Sequence, residues 1–301
     1  MTTATLIRPL PSHFHRQDFL AFHRRDKDSV AERCMENVIE KGIFWHSIPA
    51  LIRFDFCETE SVAVTLDCVG EDASIDADEV SILADHMLGL DQNIDEFEAV
   101  CMAKNTPFSA LVKQQKGLRI PQSASPFEAF SWAIIGQQIS VNAAISIRRR
   151  FIQAFGVAHP SGLLCYPTAE SLQNIPPEAL QATGFSKTKA ASLLLLSEQI
   201  CQGKLVWPQR TDRHSINALT EQLLALKGIG PWTVSYGLLR GFSWLDGSLH
   251  GDVAVRRNLS TLLKSPAPLD AKATEQWLAD YSPWRALVGA HLWAMDLASG
   301  Y

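Results

Sequence analysis

The residue types and spacings best suited to chemistry occur in one glycine-containing stretch and in a carboxylate that follows it. The stretch is Leu226-Lys227-Gly228-Ile229-Gly230-Pro231-Trp232-Thr233, and Asp252 comes about twenty residues later. The two glycines permit backbone conformations that are closed to other residues, and they let another backbone approach closely. Pro231 suits the first position of a helix, where its missing N–H is not needed. Because amides at a tight turn and a helix N-terminus bind anions, the stretch predicts a helix–hairpin–helix turn that holds a nucleic-acid phosphate.

Length and composition describe the chain that must position these residues. It has 301 residues, of which 47% are hydrophobic and 20% charged, as is typical of a soluble globular protein of about two domains. No apolar run approaches the roughly 20 residues that span a bilayer. The N-terminal residues lack the apolar stretch of a signal peptide. We therefore expect a cytoplasmic protein with no membrane contact.

The distribution of charge and the use of cysteine further narrow the class of protein. Residues 1–119 carry 12 Lys and Arg against 20 Asp and Glu, whereas residues 120–301 carry 15 against 12, so the two parts have net charges of −8 and +3. A mildly basic C-terminal part suits contact with a polyanion, although ordinary surface variation also produces such a split. Six scattered cysteines indicate reduced, packed thiols rather than disulfides or a zinc site: Cys34, Cys57, Cys68, Cys101, Cys165 and Cys201.

The N-terminal part, residues 1–118, is predicted to be a small α+β domain. Two runs rich in Val, Ile, Phe and Thr, Leu51–Phe56 and Ser61–Val69, flank a polar tripeptide and predict a β-hairpin. Helices are predicted around Val30–Glu40 and over Asp76–Leu88 and Asp95–Lys104. We find no motif that carries chemistry in this part.

Residues 119–301 are predicted to be almost wholly helical. Ser125-Pro126-Phe127-Glu128 has the pattern of a capping box with proline at the first helical position, and it opens a helix through Ile135. Further start and stop signals predict helices at Ser140–Phe155, at Pro177, from Ser186 to Cys201, around Leu219–Leu226, from Pro231, and over Val253–Leu263, Ala271–Tyr281 and Pro283–Ala298.

From about Pro126 onward, the sequence resembles the helix–hairpin–helix superfamily of DNA glycosylases, and within it the DNA-3-methyladenine glycosylase II family. The matching motifs are Pro126-Phe127-Glu128-Ala129, Ile135-Gly136-Gln137-Gln138-Ile139-Ser140-Val141, Thr183-Gly184-Phe185-Ser186 with Lys189-Ala190, the hairpin stretch, and Leu249-His250-Gly251-Asp252. The resemblance implies a mainly α fold, in which a helical bundle in two lobes follows the small N-terminal α+β domain.

The resemblance implies that Asp252 is the catalytic residue, because the family carries an essential aspartate at this distance beyond the hairpin. Hydrolysis of an N-glycosidic bond passes through an oxocarbenium-like sugar. A carboxylate beside it can stabilise the developing positive charge and orient or deprotonate a water molecule. The alternative is a helix cap for the run starting at Val253, and the two roles are compatible.

Trp232, Tyr236 and Trp293 match aromatic positions that line the base pocket in this family. Electron-rich rings attract a cationic alkylated base by stacking and cation–π contact. Plain core packing is the alternative. Bifunctional members place a nucleophilic lysine where Trp232 stands, so a single hydrolytic activity is expected here. The absence of cysteines after Cys201 likewise speaks against the four-cysteine iron–sulfur cluster of the endonuclease III branch.

The DNA-binding residues implied by the resemblance are Gln137 and Gln138 in the turn after the first helix, and Leu226, Gly228, Ile229 and Gly230 in the hairpin. Gln138 stands where some relatives insert an apolar wedge into the gap left by the flipped base; a surface or capping glutamine is the alternative. No cofactor or metal is required, although the hairpin backbone of relatives often holds a monovalent cation.

Three functions are consistent with these residues. The first is a monofunctional glycosylase that excises alkylated purines, chiefly 3-methyladenine, from double-stranded DNA and leaves an abasic site; we expect it to act as a monomer. The second is a non-catalytic helix–hairpin–helix DNA-binding module, which needs neither Asp252 nor the aromatic set. The third is a bifunctional glycosylase/lyase for oxidised bases, against which Trp232 is the main objection.

Overall fold

A computed structural model describes residues 2–56, 58–70 and 74–296. The described residues form seven β-strands: β1 (Thr2–Pro9), β2 (Glu32–Cys34), β3 (Val38–Trp45), β4 (Ile48–Asp55), β5 (Ser61–Cys68), β6 (Val157–Ala158) and β7 (Leu164–Cys165). The α-helices are α1 (Arg16–His23), α2 (Ala77–Leu88), α3 (Ile94–Met102), α4 (Pro107–Gln114), α5 (Pro126–Gly136), α6 (Val141–Phe155), α7 (Pro177–Ala182), α8 (Lys187–Cys201), α9 (Arg213–Leu224), α10 (Pro231–Phe242), α11 (Val253–Leu262), α12 (Ala271–Ala279) and α13 (Arg285–Trp293). Among these described elements, none is a helix long and apolar enough to cross a membrane.

The N-terminal part is an antiparallel sheet of five strands in the order β1-β5-β4-β3-β2. Its β4–β5 pair is the predicted hairpin, with Ala50 opposite Cys68 and Asp55 opposite Ala63. Alternate residues of β5 are buried, which is the pattern of a strand with one face on a core. Helix α2 supplies buried residues such as Val80 and Met87 to the same core cluster.

The predicted helix around Val30–Glu40 is wrong, because this segment forms β2 and the first residues of β3. The charged residues of the segment lie on strands that pair with each other and with β4, so non-local pairing overrides the local pattern. Strand β1 and helix α4 were not predicted either.

Capping side chains mark most of the helix N-termini in residues 119–301. Ser140, Ser186 and Asp252 each accept a hydrogen bond from the backbone amide three residues later. Ser125 accepts a hydrogen bond from the amide of Glu128 at 3.2 Å. The Glu128 carboxylate does not close a capping box; it accepts hydrogen bonds from the buried side chains of Lys41 and Arg148. The last helix, predicted as Pro283–Ala298, is shorter, since α13 ends at Trp293; residues 297–298 lie outside the described residues.

The helices form two lobes around separate hydrophobic clusters. One cluster contains residues of α5, α6, α8 and α9, such as Phe130, Phe151 and Leu223. The other contains residues of α11 to α13 together with α3 and α4, including Phe97 and Phe108. The segment that precedes residue 119 therefore shares a core with the C-terminal helices, and the domain boundary between 118 and 119 stays a prediction from the sequence.

Helices α5 and α10 contribute to both clusters and pack tightly against each other. Gly237 on α10 makes the close approach necessary, because a Cβ atom at this position would lie 2.3 Å from the ring of Phe130 on α5. These two helices place the end of α5 and the start of α10 at the same edge of the lobes, where the hairpin stretch lies.

A buried charged cluster joins the sheet to the helices. Lys41 on β3 donates to Glu32 on β2 at 2.5 Å and to Glu128 on α5 at 2.7 Å. Arg148 on α6 lies 3.1 Å from the Glu128 carboxylate and 3.3 Å from that of Glu32. Burial raises the pKa of both carboxyls, but Arg148 and Lys41 outweigh burial and hold both pKa values below the ordinary range.

Candidate active site

A cleft of about 1350 Å³ opens between the two lobes, and the hairpin and Asp252 both line it. Its walls come from the end of α5, the start of α6, the start of α8, the hairpin with the start of α10, and the start of α11 with the end of α13. The lining residues include Trp132, Gln137, Gln138, Lys189, Gly228, Gly230, Trp232, Tyr236, Asp252, Arg257, Trp293 and Asp296. Residues that are far apart in the sequence thus meet in one concave surface, as is usual for a ligand site.

Asp252 is the N-cap of α11, and its carboxylate accepts three hydrogen bonds. The Oδ1 atom accepts from the amide of Val255 at 3.0 Å and from the indole Nε1 of Trp293 at 3.1 Å. The Oδ2 atom accepts from Nε1 of Trp232 at 2.9 Å. These donors, which come from three helices, fix the half-buried carboxylate in one orientation on the wall of the cleft.

The three predicted aromatic residues lie next to one another beside Asp252. The ring centroids of Trp232 and Tyr236 are 5.4 Å apart with a 30° angle between planes, and those of Tyr236 and Trp293 are 6.0 Å apart with a 54° angle. Tyr236 and Trp293 are buried, whereas Trp232 is half-buried. All three line the cleft and also pack in the hydrophobic cluster of α11 to α13, so the same rings form the wall of the pocket and part of the core.

A fourth aromatic residue, Trp132 on α5, was missed by the sequence analysis. It lines the cleft, and its Nε1 donates to the hydroxyl of Tyr236 at 2.9 Å. No local pattern sets Trp132 apart from the other large apolar residues of α5. Its proximity to Tyr236, which lies 104 positions away, could not be read from spacing.

Two arginines contact the rings that build this wall. The guanidinium of Arg240 lies 5.9 Å from the ring centroid of Tyr236 and 6.0 Å from that of Trp293, and that of Arg25 lies 4.8 Å from the ring of Trp132. Burial lowers the pKa of Arg25. The ordinary pKa of arginine is so far above neutral pH that the side chain keeps its charge. Fixed positive charges near the rings repel a cationic base, so the net electrostatic attraction is smaller than that of the rings alone.

The hairpin has the backbone that its two glycines predict. Gly228 has a φ of +87°, and a Cβ atom there would lie 2.0 Å from Oγ of Ser192. Gly230 has open space around it and begins α10 without a side-chain cap, which leaves the first amides of the helix to an external acceptor. The side chain of Ile229 is buried, so this residue can reach DNA only through its backbone, and the half-buried side chain of Leu226 packs against the same core cluster as Ile229.

The two glutamines before α6 have different environments. The Nε2 atom of Gln137 donates to the carbonyl of Gly228 and to Oγ1 of Thr233, both at 2.9 Å, and thereby ties the end of α5 to the hairpin. Gln138 is exposed at the rim of the cleft and has a φ of +54°. A left-handed conformation is uncommon for a residue other than glycine and costs roughly 1–2 kcal/mol.

The hairpin carbonyls are partly used by protein donors. Ser192 donates to the carbonyl of Lys227 at 3.0 Å, and Gln137 uses that of Gly228. A second lone pair on each oxygen is compatible with the predicted monovalent cation, which stays a prediction. Within residues 2–56, 58–70 and 74–296, no group of three or more His, Cys, Asp or Glu residues has the arrangement of a metal site. The cysteines in these ranges are free thiols.

A cleft between two helical lobes, with a hairpin and a helix-capping carboxylate at its wall, defines the class of protein. Residues 131–282 match the family described as HhH-GPD superfamily base excision DNA repair protein, and the chain belongs to this superfamily.

Relatives agree with the resemblance predicted from the sequence, which is thereby confirmed. The chain is 28% identical over 222 residues to DNA-3-methyladenine glycosylase 2 of Escherichia coli, covering 68% of this chain and 75% of the relative. A 3-methyladenine DNA-glycosylase structure from Archaeoglobus fulgidus superposes with a TM-score of 0.80 at 20% identity, covering 97% and 99% of the two chains. A Schizosaccharomyces pombe 3-methyladenine DNA glycosylase in complex with abasic-DNA has a TM-score of 0.58 at 25% identity and covers 68% of this chain and 98% of that one.

Proposed function

We propose that this protein is a monofunctional DNA glycosylase that excises alkylated purines, chiefly 3-methyladenine, from double-stranded DNA and leaves an abasic site. The observation that carries the proposal is the Asp252 carboxylate, held by the indoles of Trp232 and Trp293 on the wall of an aromatic cleft. The names of the relatives, and the abasic-DNA complex of one of them, support the same reaction and the same partner.

In the proposed mechanism, the damaged nucleotide leaves the duplex and its base enters the cleft against Trp232, Tyr236 and Trp293. Flipping a base is less costly when damage has weakened its pairing. The alkylated base is cationic and already a good leaving group, so the site needs little acid catalysis. Asp252 stabilises the positive charge that develops on the sugar, and it orients or deprotonates the water that completes hydrolysis.

The hairpin and the two glutamines serve as DNA contacts in this proposal. Gly228 and Gly230 shape the backbone that binds a phosphate at the uncapped start of α10. Leu226 and Ile229 contribute backbone atoms and anchor the hairpin in the core. Gln137 positions the hairpin, and Gln138, exposed at the rim, fills the gap left by the flipped base. The monomeric state and the cytoplasmic location stay predictions from the sequence.

The lyase alternative requires a nucleophilic amine in the cleft, and one lysine there has a perturbed pKa. Burial lowers the pKa of Lys189, which favours the neutral amine that forms a Schiff base. Its Nζ atom, however, donates to the carbonyl of Ile135 at 2.8 Å and so supports the end of α5. Trp232, at the position of the lyase lysine, instead holds Asp252.

The test is release of free bases from methylated DNA by the purified protein, with 8-oxoguanine DNA as the comparison substrate and borohydride in a parallel reaction. We expect release of 3-methyladenine, no release of 8-oxoguanine and no covalent adduct. If no base is released from either substrate, the protein would be a non-catalytic DNA-binding module instead. A borohydride-trapped adduct that disappears in Lys189→Ala would instead establish the lyase.

A further inference from the structure

A second groove, with a volume of about 470 Å³, continues from the cleft along α11. Val253 and Arg257 line both the cleft and this groove, so the two surfaces are contiguous. The groove follows α11 from Val253 to Thr261 and then the loop from Lys264 to Leu269. The helical part alone covers about 12 Å at the α-helical rise of 1.5 Å per residue, which corresponds to about three nucleotide steps of a DNA strand.

The groove is basic. Its lining contains Arg256, Arg257 and Lys264, and no Asp or Glu. Arg257 already has acceptors, because it forms an ion pair with Asp296 and donates to Asn258 at 3.2 Å. An anionic ligand in this groove would therefore depend on the other two cations, Arg256 and Lys264, and would meet no carboxylate among the lining residues.

Arg256 and Lys264 differ from Arg257 in having no hydrogen-bond or ion-pair partner for their side chains among the described residues. The Nε atom of Arg256 is buried without an acceptor. Lys264, just beyond the end of α11, is exposed. The terminal nitrogens of the half-buried Arg256 guanidinium also have no acceptor in the part of the chain that the structure describes and, unlike Nε, are not buried, so an external anion can pair with them.

The rest of the lining is suited to a sugar–phosphate backbone and not to bases. It contains the hydroxyl residues Ser260, Thr261 and Ser265 and small apolar residues of the loop, but no aromatic side chain on which a base could stack. The adjoining cleft, by contrast, is lined by aromatic side chains on which a base can stack.

We propose that this groove, lined by Arg256 and Lys264, binds phosphates of the DNA strand next to the flipped nucleotide. It is a second backbone anchor in addition to the hairpin. The inference rests on the proposed function, since it requires DNA in the adjoining cleft. Phosphate contacts of this kind fix the position of the duplex and carry no sequence information.

The test is the salt dependence of binding to a duplex that contains a tetrahydrofuran abasic analogue, measured by fluorescence anisotropy. Each lost phosphate contact reduces the slope of log K against log[salt] by about 0.9. We expect this reduction in Arg256→Ala and in Lys264→Ala, and restoration of the slope in Arg256→Lys, which retains the charge. Lys113→Ala is the control, since this exposed lysine lies on α4 and does not line the groove.

Wild-type slopes in both Arg256→Ala and Lys264→Ala would overturn the proposal. Lys264 is exposed, so its variant gives a result even if Arg256→Ala does not fold. Release of 3-methyladenine by the wild-type protein, measured on the same preparation, separates the two claims. Release with unchanged slopes would reject the groove alone, and reduced slopes without release would reject the glycosylase alone.

Discussion

At the scale of single residues, the site depends on how Asp252 shares its two oxygen atoms. One oxygen caps α11 and accepts from Trp293, and the other accepts from Trp232. The cap and the proposed catalytic role therefore use the same side chain without conflict, because the cap fixes the orientation that catalysis requires. The indoles have two functions as well, since each lines the pocket with its ring and holds the carboxylate with its N–H.

Substitution of Trp293 separates these two functions. Trp293→Phe keeps a ring but removes the donor to Asp252, and a hydrogen bond to a charged group contributes about 1.5–3 kcal/mol. Trp293→Ala also removes the stacking surface, worth about 1–3 kcal/mol per base. We expect the single-turnover rate of 3-methyladenine excision to fall at least about tenfold in Trp293→Phe and about a hundredfold or more in Trp293→Ala. DNA binding at low salt should change much less. An unchanged excision rate in Trp293→Ala would mean that Trp293 is a core residue only.

Gln138 gives a prediction in which stability and activity change in opposite directions. Its φ of +54° is unfavourable for glutamine, so Gln138→Gly should raise the free energy of unfolding by about 1 kcal/mol. The same change removes the side chain proposed to fill the gap in the DNA, so excision should slow. Gln138→Ala is the matched control, because it removes the side chain without relieving the backbone. Urea unfolding and single-turnover excision measure the two effects. Wild-type excision rates in both variants would show that Gln138 does not fill the gap.

Much of the site could be predicted at this scale, but not all of it. Asp252, Trp232, Tyr236 and Trp293 were predicted because they match positions of the family that the sequence resembles, and the structure brings them together. Trp132 could not be predicted, because its role depends on a contact between α5 and α10. The same is true of Arg240, whose relation to the pocket rings depends on packing between helices.

At the scale of elements, the hairpin works because its two glycines meet different requirements. The fold of the protein requires glycine at position 228, because Gly228 has a positive φ and Ser192 occupies the space that a Cβ atom would fill. Gly230 has open space around it, and the absence of a side chain there leaves room for another molecule.

The matched variants Gly228→Ala and Gly230→Ala test this difference. Gly228→Ala should lower the free energy of unfolding by at least about 2 kcal/mol, because strain in the left-handed region adds to the clash with Ser192. Gly230→Ala should lower it by no more than about 1 kcal/mol, the usual effect of alanine at a helix N-cap. Its affinity for DNA should fall clearly, because a methyl group would separate the phosphate from the amides of α10. Wild-type affinity in Gly230→Ala would contradict the proposed approach of the DNA backbone.

Helix ends were predicted well where a capping side chain marks them, as at Ser140, Ser186 and Asp252. These signals are local, because the cap and the amide that it accepts from are three residues apart. The strands were predicted less well. Strand β1 and the pairing of β2 with β3 depend on partners elsewhere in the chain, and charged residues such as Glu32 and Lys41 do not have the composition of a buried strand.

At the scale of the whole molecule, the buried charged cluster connects the N-terminal sheet to the helices that carry the site. Glu32 and Lys41 belong to the sheet, and Glu128 and Arg148 belong to α5 and α6. Since α5 ends at Gln137, which holds the hairpin, the sheet supports the cleft from behind although it contributes no residue to its lining.

Lys41→Met should lower the free energy of unfolding by about 3–5 kcal/mol, because it leaves two buried carboxylates with Arg148 as their main counter-charge. Lys113→Met, at an exposed position on α4, should change it by no more than about 0.5 kcal/mol. Urea unfolding at pH 7 measures both values. Equal stability of the two variants would mean that the cluster does not hold the sheet and the helices together.

The same cluster predicts the effect of acid. The pKa values of Glu32 and Glu128 are lower in the folded protein than their ordinary value of 4.5. Their contribution to stability is therefore complete above about pH 4.5 and is lost as the pH falls toward the lowered values. Lys41→Met weakens this lowering, so its free energy of unfolding should depend less steeply on pH below 4.5 than that of the wild type. A steeper pH dependence in Lys41→Met than in the wild type would contradict the claim that Lys41 helps to lower the pKa values of these carboxyls.

The measurement that tests the central claim most directly is the single-turnover rate of 3-methyladenine release by Asp252→Asn, with enzyme in excess over methylated DNA. Asparagine caps a helix about as well as aspartate, so the fold should be retained, and thermal unfolding together with DNA binding verifies this. Loss of the negative charge beside the developing cation should reduce the rate by at least about a hundredfold. A folded, DNA-binding Asp252→Asn protein that releases 3-methyladenine at the wild-type rate would contradict the claim that Asp252 carries the chemistry.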